Sequence, residues 1–117
     1  MHLPKIGITQ GRLSNPLGGK IQSFPKKTWQ KEFKIAKSIG FDLIEWIVDE
    51  NLDNPIFNKD FHRELDHLKN ENKIQVISMA CDFFMYNSFS NKSENFNKLS
   101  LEILEELVNK VLPSNNI

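Results

Sequence analysis

Three successive passages of apolar strand, loop and amphipathic helix predict an α/β fold in which parallel strands are joined through outer helices. Residues 6–9, 43–47 and 74–80 are rich in Ile, Val and Leu, and each run leads through a loop into a segment whose apolar residues recur every three or four positions. Parallel neighbours need crossovers of this length, and crossovers of one hand place the helices outside the sheet.

The first strand runs into Ile6-Gly7-Ile8-Thr9-Gln10-Gly11-Arg12-Leu13. Gly11 lets the backbone leave the strand in a conformation other residues resist, and Arg12 then projects a planar cation at the strand's carboxyl end, a natural seat for an anion. The loop over 13–27, with Pro16, Gly18, Gly19 and Pro25, is longer than a simple connector needs, and loops of that length are often functional. Thr28 is expected to cap a helix over 28–39, in which Trp29, Phe33 and Ala36 form one stripe and Gly40 supplies the stop.

A second strand over 43–47 follows, and the acidic, proline-containing stretch 49–55 leads to a helix over 60–70 with the stripe Phe61, Leu65 and Leu68. Asn70-Glu71-Asn72-Lys73 reads as the connector to the third strand, whose near-continuous apolar run suits a strand covered on both faces. After an aromatic, asparagine-rich loop, a third helix over 93–112 carries Leu99, Leu101, Ile103, Leu104, Leu107, Val108, Val111 and Leu112. That stripe is too wide for one sheet face, so something further is expected to pack on it. Pro113-Ser114-Asn115-Asn116-Ile117 resembles the entry to the third strand and reads as the start of a fourth. A (β/α)₈ barrel needs about 250 residues. Residues 1–117 therefore read as the first three βα units of an incomplete TIM-barrel-type domain, ending before strand four.

The 117 residues, 39% hydrophobic and 26% charged, are those of one globular domain with a core of its own. Fifteen basic and fifteen acidic residues cancel, which argues against nucleic-acid or anionic-membrane partners. Cys81 is the single cysteine, so no internal disulfide forms, in keeping with a reducing compartment. Neither a signal-peptide pattern nor an apolar run of about 18 residues is present, and a cytoplasmic location is expected.

Arg12, Glu45 and Asp82 are the candidate substrate-binding residues, because each follows or lies within a strand on its carboxyl side. Arg12 suits a phosphate or carboxylate held by two parallel hydrogen bonds, the alternative being a structural ion pair. Glu45 lies between Ile44 and Trp46, where an unpaired carboxylate is expensive. It is either a ligand or base for substrate hydroxyls or one half of a buried pair with Arg12 or a lysine. Asp82 either converges on the same mouth or caps a turn. Cys81 has no basic neighbour to activate it and reads as a small packed residue. Glu64 and His67 have the Glu-x-x-His spacing of carboxylate-bridged metal sites, but the second copy such sites need is absent, so these residues and His62 read as a solvated face. His2 says little. Gly18-Gly19-Lys20 lacks the spacing of a phosphate loop and reads as a turn. Phe83, Phe84, Met85 and Tyr86 wall either a pocket or the core.

The three passages Ile6 to Leu13, Phe41-Asp42-Leu43-Ile44-Glu45-Trp46 and Ser78-Met79-Ala80-Cys81-Asp82-Phe83-Phe84-Met85, taken in order, resemble the first three strands of sugar-phosphate isomerases and epimerases with the xylose-isomerase-like barrel. The resemblance implies a metal-assisted proton transfer on a sugar or sugar phosphate, in which a divalent ion, manganese or zinc, is held by Glu, Asp, His and Glu of later strands. None of those ligands maps onto this chain, so its metal ligands are none and the isolated chain is expected to be inactive. Arg12, Glu45 and Asp82 match only mouth positions. The alternative is a non-catalytic binding module that self-associates through its open sheet edge. Related barrels that cleave DNA at abasic sites fit the neutral charge less well.

Overall fold

Three short parallel strands, β1 (Gly7–Thr9), β2 (Leu43–Val48) and β3 (Met79–Cys81), lie side by side in chain order and form the centre of a mixed α/β fold. The computed structural model describes residues 3–15, 23–86 and 94–111. His2, the Gly18-Gly19-Lys20 turn, Ser93, Leu112 and the strand entry at 113–117 fall outside them, as do the side chains of Tyr86 and Val111. The helices are α1 (Trp29–Ile39), α2 (Phe61–Asn72), the four-residue α3 (Phe83–Tyr86) and α4 (Glu94–Val111), with a 3₁₀ turn at Pro55–Phe57. Among the described residues no helix is long and apolar enough to cross a membrane.

Side chains alternate along β2, so Ile44, Trp46 and Val48 share one face, and all three are buried. Trp46 is the hub of that face. Its ring centroid lies 5.4 Å from Phe24, 5.3 Å from Trp29 of α1 and 5.0 Å from Phe61 of α2, so the helices cover this side of the sheet. Its indole N–H needs an acceptor once buried, and Asn54 Oδ1 provides one at 3.1 Å. The same oxygen accepts the Ile56 N–H while Asn54 Nδ2 donates to the Ile47 carbonyl, which pins the 3₁₀ turn beneath the end of β2.

In α1 the expected stripe is buried, and Gly40 ends the helix at φ 112° with its N–H shared between the carbonyls of Ala36 and Lys37. Thr28 makes no side-chain cap; its hydroxyl donates instead to Ser14 Oγ at 2.7 Å, drawn away by the loop that follows β1. The second helix is longer than its sequence suggests. Asn72 Nδ2 donates to the Leu68 carbonyl, and Lys73 takes the left-handed conformation (φ 56°) that ends the helix, so the polar 70–73 stretch is its last turn.

The third strand departs most from expectation. Residues 74–78 are not continuous strand: Leu43 pairs with Gln75, but Trp46 pairs with Met79, so three steps along β2 face four along its neighbour. One extra residue is accommodated as a bulge. The run is also not covered on both faces, since Ile77 is 66% exposed.

The helix layer runs α1, α2, α4. Gln30 Nε2 of α1 donates to Glu64 of α2 at 3.2 Å, whereas His62, on the other side of α2, shares a groove with α4. Helix α4 turns Ser100, Ile103 and Leu107 inward and leaves Leu99, Leu101, Leu104 and Val108 exposed, so the wide stripe is only half used.

Phe33→Ala is expected to destabilise the fold by roughly 3–5 kcal/mol, because it opens a cavity in a fully buried site. Ile39→Ala, at an exposed position, should stay within about 0.5 kcal/mol. Urea unfolding of both variants checks the pair.

Candidate functional site

Residues Thr9 and Glu45 are paired across β1 and β2, and the bulge brings Ser78 opposite Glu45 from the other side. Glu45 alternates with Ile44 and Trp46, so its carboxylate points to the face of the sheet away from the helices. There Oε2 accepts the Ser78 hydroxyl at 3.0 Å and Oε1 faces the Thr9 hydroxyl at 3.5 Å. Glu45 is half-buried, and its partners are hydroxyls, where the sequence suggested Arg12 or a lysine. A carboxylate holding two hydroxyls keeps further lone pairs for a ligand, so the row Thr9–Glu45–Ser78 can accept hydrogen bonds from hydroxyl groups or take up a proton.

Gln10, a functional position that strand periodicity does not mark, extends the same ladder. Its backbone N–H donates to the Glu45 carbonyl at 3.0 Å, and its side-chain Oε1 accepts the Ile47 N–H at 3.0 Å. A strand of three residues thereby satisfies one more rung of β2 than its backbone alone could. The side chain is buried, and its Nε2 has no acceptor among the described residues. A glutamine between a strand and a glycine is the only sequence signal for this role.

The loop after β1 does seat an anion, and that anion is internal. Glu32 of α1 is 1% exposed, and its carboxylate accepts the Gly11 N–H at 2.9 Å, the Leu13 N–H at 3.0 Å and the Ser14 hydroxyl at 3.0 Å. Burial raises the Glu32 pKa above the ordinary glutamate value, while the hydrogen bonds from Gly11, Ser14 and Leu13 oppose the rise. Gly11 has φ 94°, and a Cβ there would lie 2.9 Å from the Ser23 carbonyl, so both conformation and space require glycine. In the sequence Glu32 sits on the expected buried stripe between Trp29 and Phe33; an acid at a core-facing helical position is the signal that identifies it.

Arg12 and Asp82 leave their strands at the carboxyl end, as expected. Glu45 does not, since Trp46, Ile47 and Val48 follow it within β2. Arg12 is exposed and lines a groove with Leu13, Ser14, Thr28, Lys31 and Ile35 on the α1 side, whereas Glu45 lies on the opposite face. The structure thus brings Glu45 together with Thr9 and Ser78, and it sets Arg12 apart. Asp82 precedes α3, where its carbonyl accepts the Met85 N–H. Burial, and then the Asp82 charge, push the Cys81 thiol above its usual pKa, the opposite of what a nucleophile needs. Phe83 joins the core and Met85 is exposed, so the aromatic cluster divides between the two. His67 Nε2 lies 3.3 Å from a Glu71 carboxylate oxygen at the surface and Glu64 accepts from Gln30, consistent with a solvated face. His62 departs from that reading: it is half-buried with Nδ1 enclosed.

Among the described residues no group of three His, Cys, Asp or Glu side chains converges at a point where it could hold a metal ion. No protein-family model matches the chain, and no curated protein matches it.

Glu32→Ala strands two backbone donors and is expected to destabilise the fold by roughly 3 kcal/mol. The sign of the pH effect follows from the raised pKa. Between its unfolded and folded pKa values the folded chain holds more protons, so stability from this group is greatest below the window and is lost as pH rises through it. Urea melts from pH 4 upward should therefore show wild type losing stability relative to Glu32→Gln as pH increases.

Proposed function

We propose that this chain is part of a (β/α) barrel of the sugar-phosphate isomerase and epimerase type, in which Glu45 with Thr9 and Ser78 binds hydroxyl groups of a sugar or sugar phosphate. The observation that carries the reading is the polar row on the sheet face opposite the helices. A doubly wound α/β sheet covers that face with further helices and makes it apolar. A barrel turns it inward, toward a mouth where substrates bind. Sequential parallel strands with α1 and α2 on one side are compatible with either, so the carboxylate tips the balance.

Carboxylates recognise vicinal hydroxyls by accepting two charge-assisted hydrogen bonds, and Ser78 and Thr9 orient Glu45 for that task. Arg12, on the far side of the β1 exit, would meet the phosphate of a substrate only through the loop above the strand ends, so its part in this reading is secondary. The family's proton transfer uses a metal and ligands from strands that are not among these residues, and a cytoplasmic setting accompanies the reading.

Titration of a pentose phosphate, followed by NMR, should give binding that Glu45→Ala weakens about tenfold, the value of one charge-assisted hydrogen bond. Equal affinity in wild type and Glu45→Ala would overturn the assignment. The isolated chain should not epimerise the sugar with added manganese or zinc, and turnover abolished by a chelator would contradict that expectation.

A further inference from the structure

Three lysines from separate parts of the chain meet at the amino-terminal end of the sheet, the end opposite the one where Arg12 and Asp82 lie. Lys5 precedes β1, Asp42 precedes β2, and Lys73 and Gln75 lie between α2 and β3, so the three strand entries stand side by side there. With Lys69 of α2 and Ile77 they line a cavity of about 450 Å³. Lys5 Nζ donates to Gln75 Oε1 at 2.7 Å, a neutral partner that leaves the ammonium its full charge and two further donors. Among the described residues none of the three lysines lies within ion-pairing distance of a carboxylate, in contrast to Lys26, which pairs with Asp53 at 2.7 Å. Asp42, the acid of the cavity, turns one oxygen to the Ile6 N–H at 3.3 Å. Lys73 adds a second sign. Among the described residues it alone combines a side chain with a positive φ, 56°, at a helix end that glycine or asparagine ordinarily takes.

We propose that this cavity binds the phosphoryl group of a small phosphate monoester, with Lys5, Lys69 and Lys73 around the phosphate and Ile77 against its organic part. Charge selects the ligand. Three ammonium groups against one carboxylate leave two positive charges in excess, which matches a phosphate dianion and is more than a single carboxylate answers. Ammonium groups on flexible stems act as point charges and close round a tetrahedral oxyanion without the planar geometry a guanidinium requires. Size favours an ester over the bare ion. Small-molecule sites run to about 300–1,000 Å³, and this cavity has room beyond one phosphate. The remaining space adjoins Ile77, an apolar side chain that is 66% exposed and gains by being covered. Lys69 and Lys73 also complement the negative end of α2. Lys5 belongs to no helix, yet Gln75 holds it at the same cavity. The site lies at the strand entries and is independent of what Glu45 binds.

Amide NMR titration of the chain with phenyl phosphate at constant ionic strength tests the proposal, with inorganic phosphate, phenol and sodium chloride as comparisons. Phenyl phosphate should give saturable shifts centred on Lys5, Asp42, Lys73 and Gln75 in the millimolar range and bind several-fold more tightly than inorganic phosphate, while phenol and chloride give none. Lys5→Gln and Lys73→Gly should each weaken binding roughly threefold to fivefold, the scale of one exposed ion pair, and the two together should remove it. Glycine suits a φ of 56°, so Lys73→Gly should melt no lower than wild type while losing affinity, a combination that a lysine serving only the end of α2 does not give. Asp42→Asn keeps an acceptor for the Ile6 N–H and removes the opposing charge, so it should tighten binding roughly threefold to fivefold. Shifts no larger than those from chloride overturn the proposal. So do equal affinities for phenyl phosphate and inorganic phosphate, binding that survives the paired lysine substitution, or a folded Asp42→Asn that binds no more tightly. Should Asp42→Asn unfold, the lysine variants decide the matter. Glu45→Ala should leave these shifts unchanged, which separates failure of this site from failure of the Glu45 assignment; their loss in Glu45→Ala overturns a separate site.

Discussion

The buried carboxylate of Glu32 ties the first helix to the exit of the first strand, and much of the arrangement above the sheet depends on it. β1 has only three residues, and the turn that follows leaves backbone N–H groups of Gly11 and Leu13 without a ladder partner. An unpaired buried N–H is costly, and Glu32 answers two of them together with the Ser14 hydroxyl. Thr28 is drawn into the same network through Ser14, which explains why it does not cap α1. The same shortage one rung earlier is met by Gln10 Oε1. Two buried polar side chains thus replace the backbone that a longer strand would have supplied.

This internal anion also sets the place of Arg12. An arginine following a glycine at a strand end is the pattern of an anion site, and the backbone there does bind a carboxylate, but one provided by the chain itself. With the N–H groups turned inward to Glu32, Arg12 lies outward over the α1 flank. A second carboxylate lies on the other side of the sheet, where Glu45 accepts the Ser78 hydroxyl. That contact depends on the bulge between Gln75 and Met79, because strict alternation would place Ile77 opposite Glu45.

The outer surfaces follow from the same layer logic. Trp46, Phe24, Trp29 and Phe61 fill the space between β2 and the first two helices, and Asn54 secures the buried indole and the turn after β2. α4 docks one stripe onto this core and turns a second away from it, which matches the surplus of apolar positions counted in its sequence. At the opposite end of the layer α1 exposes Ile35 and Ile39 with lysines beside them. Among the described residues one core joins the three strands to their helices, and the outer faces of α1 and α4 carry exposed apolar side chains.

Local pattern was enough to fix the parallel α/β class, the stripe and glycine stop of α1, and the presence of α2 and of a broad-striped last helix. Periodicity and helix signals act over a few residues and survive in any tertiary setting. Glu45 was legible as a carboxylate in need of a partner because burial penalises charge wherever the strand lies. The sequence did not reveal that partner's identity, nor that Gly11, Leu13 and Ser14 close on Glu32, nor that Gln10 completes the β2 ladder. Each of those contacts joins residues 18 to 37 apart in the chain, and which donors are left over at a strand end depends on where pairing stops. The bulge that breaks the third strand is likewise a matter of register with β2, a relation between two segments that neither one encodes alone.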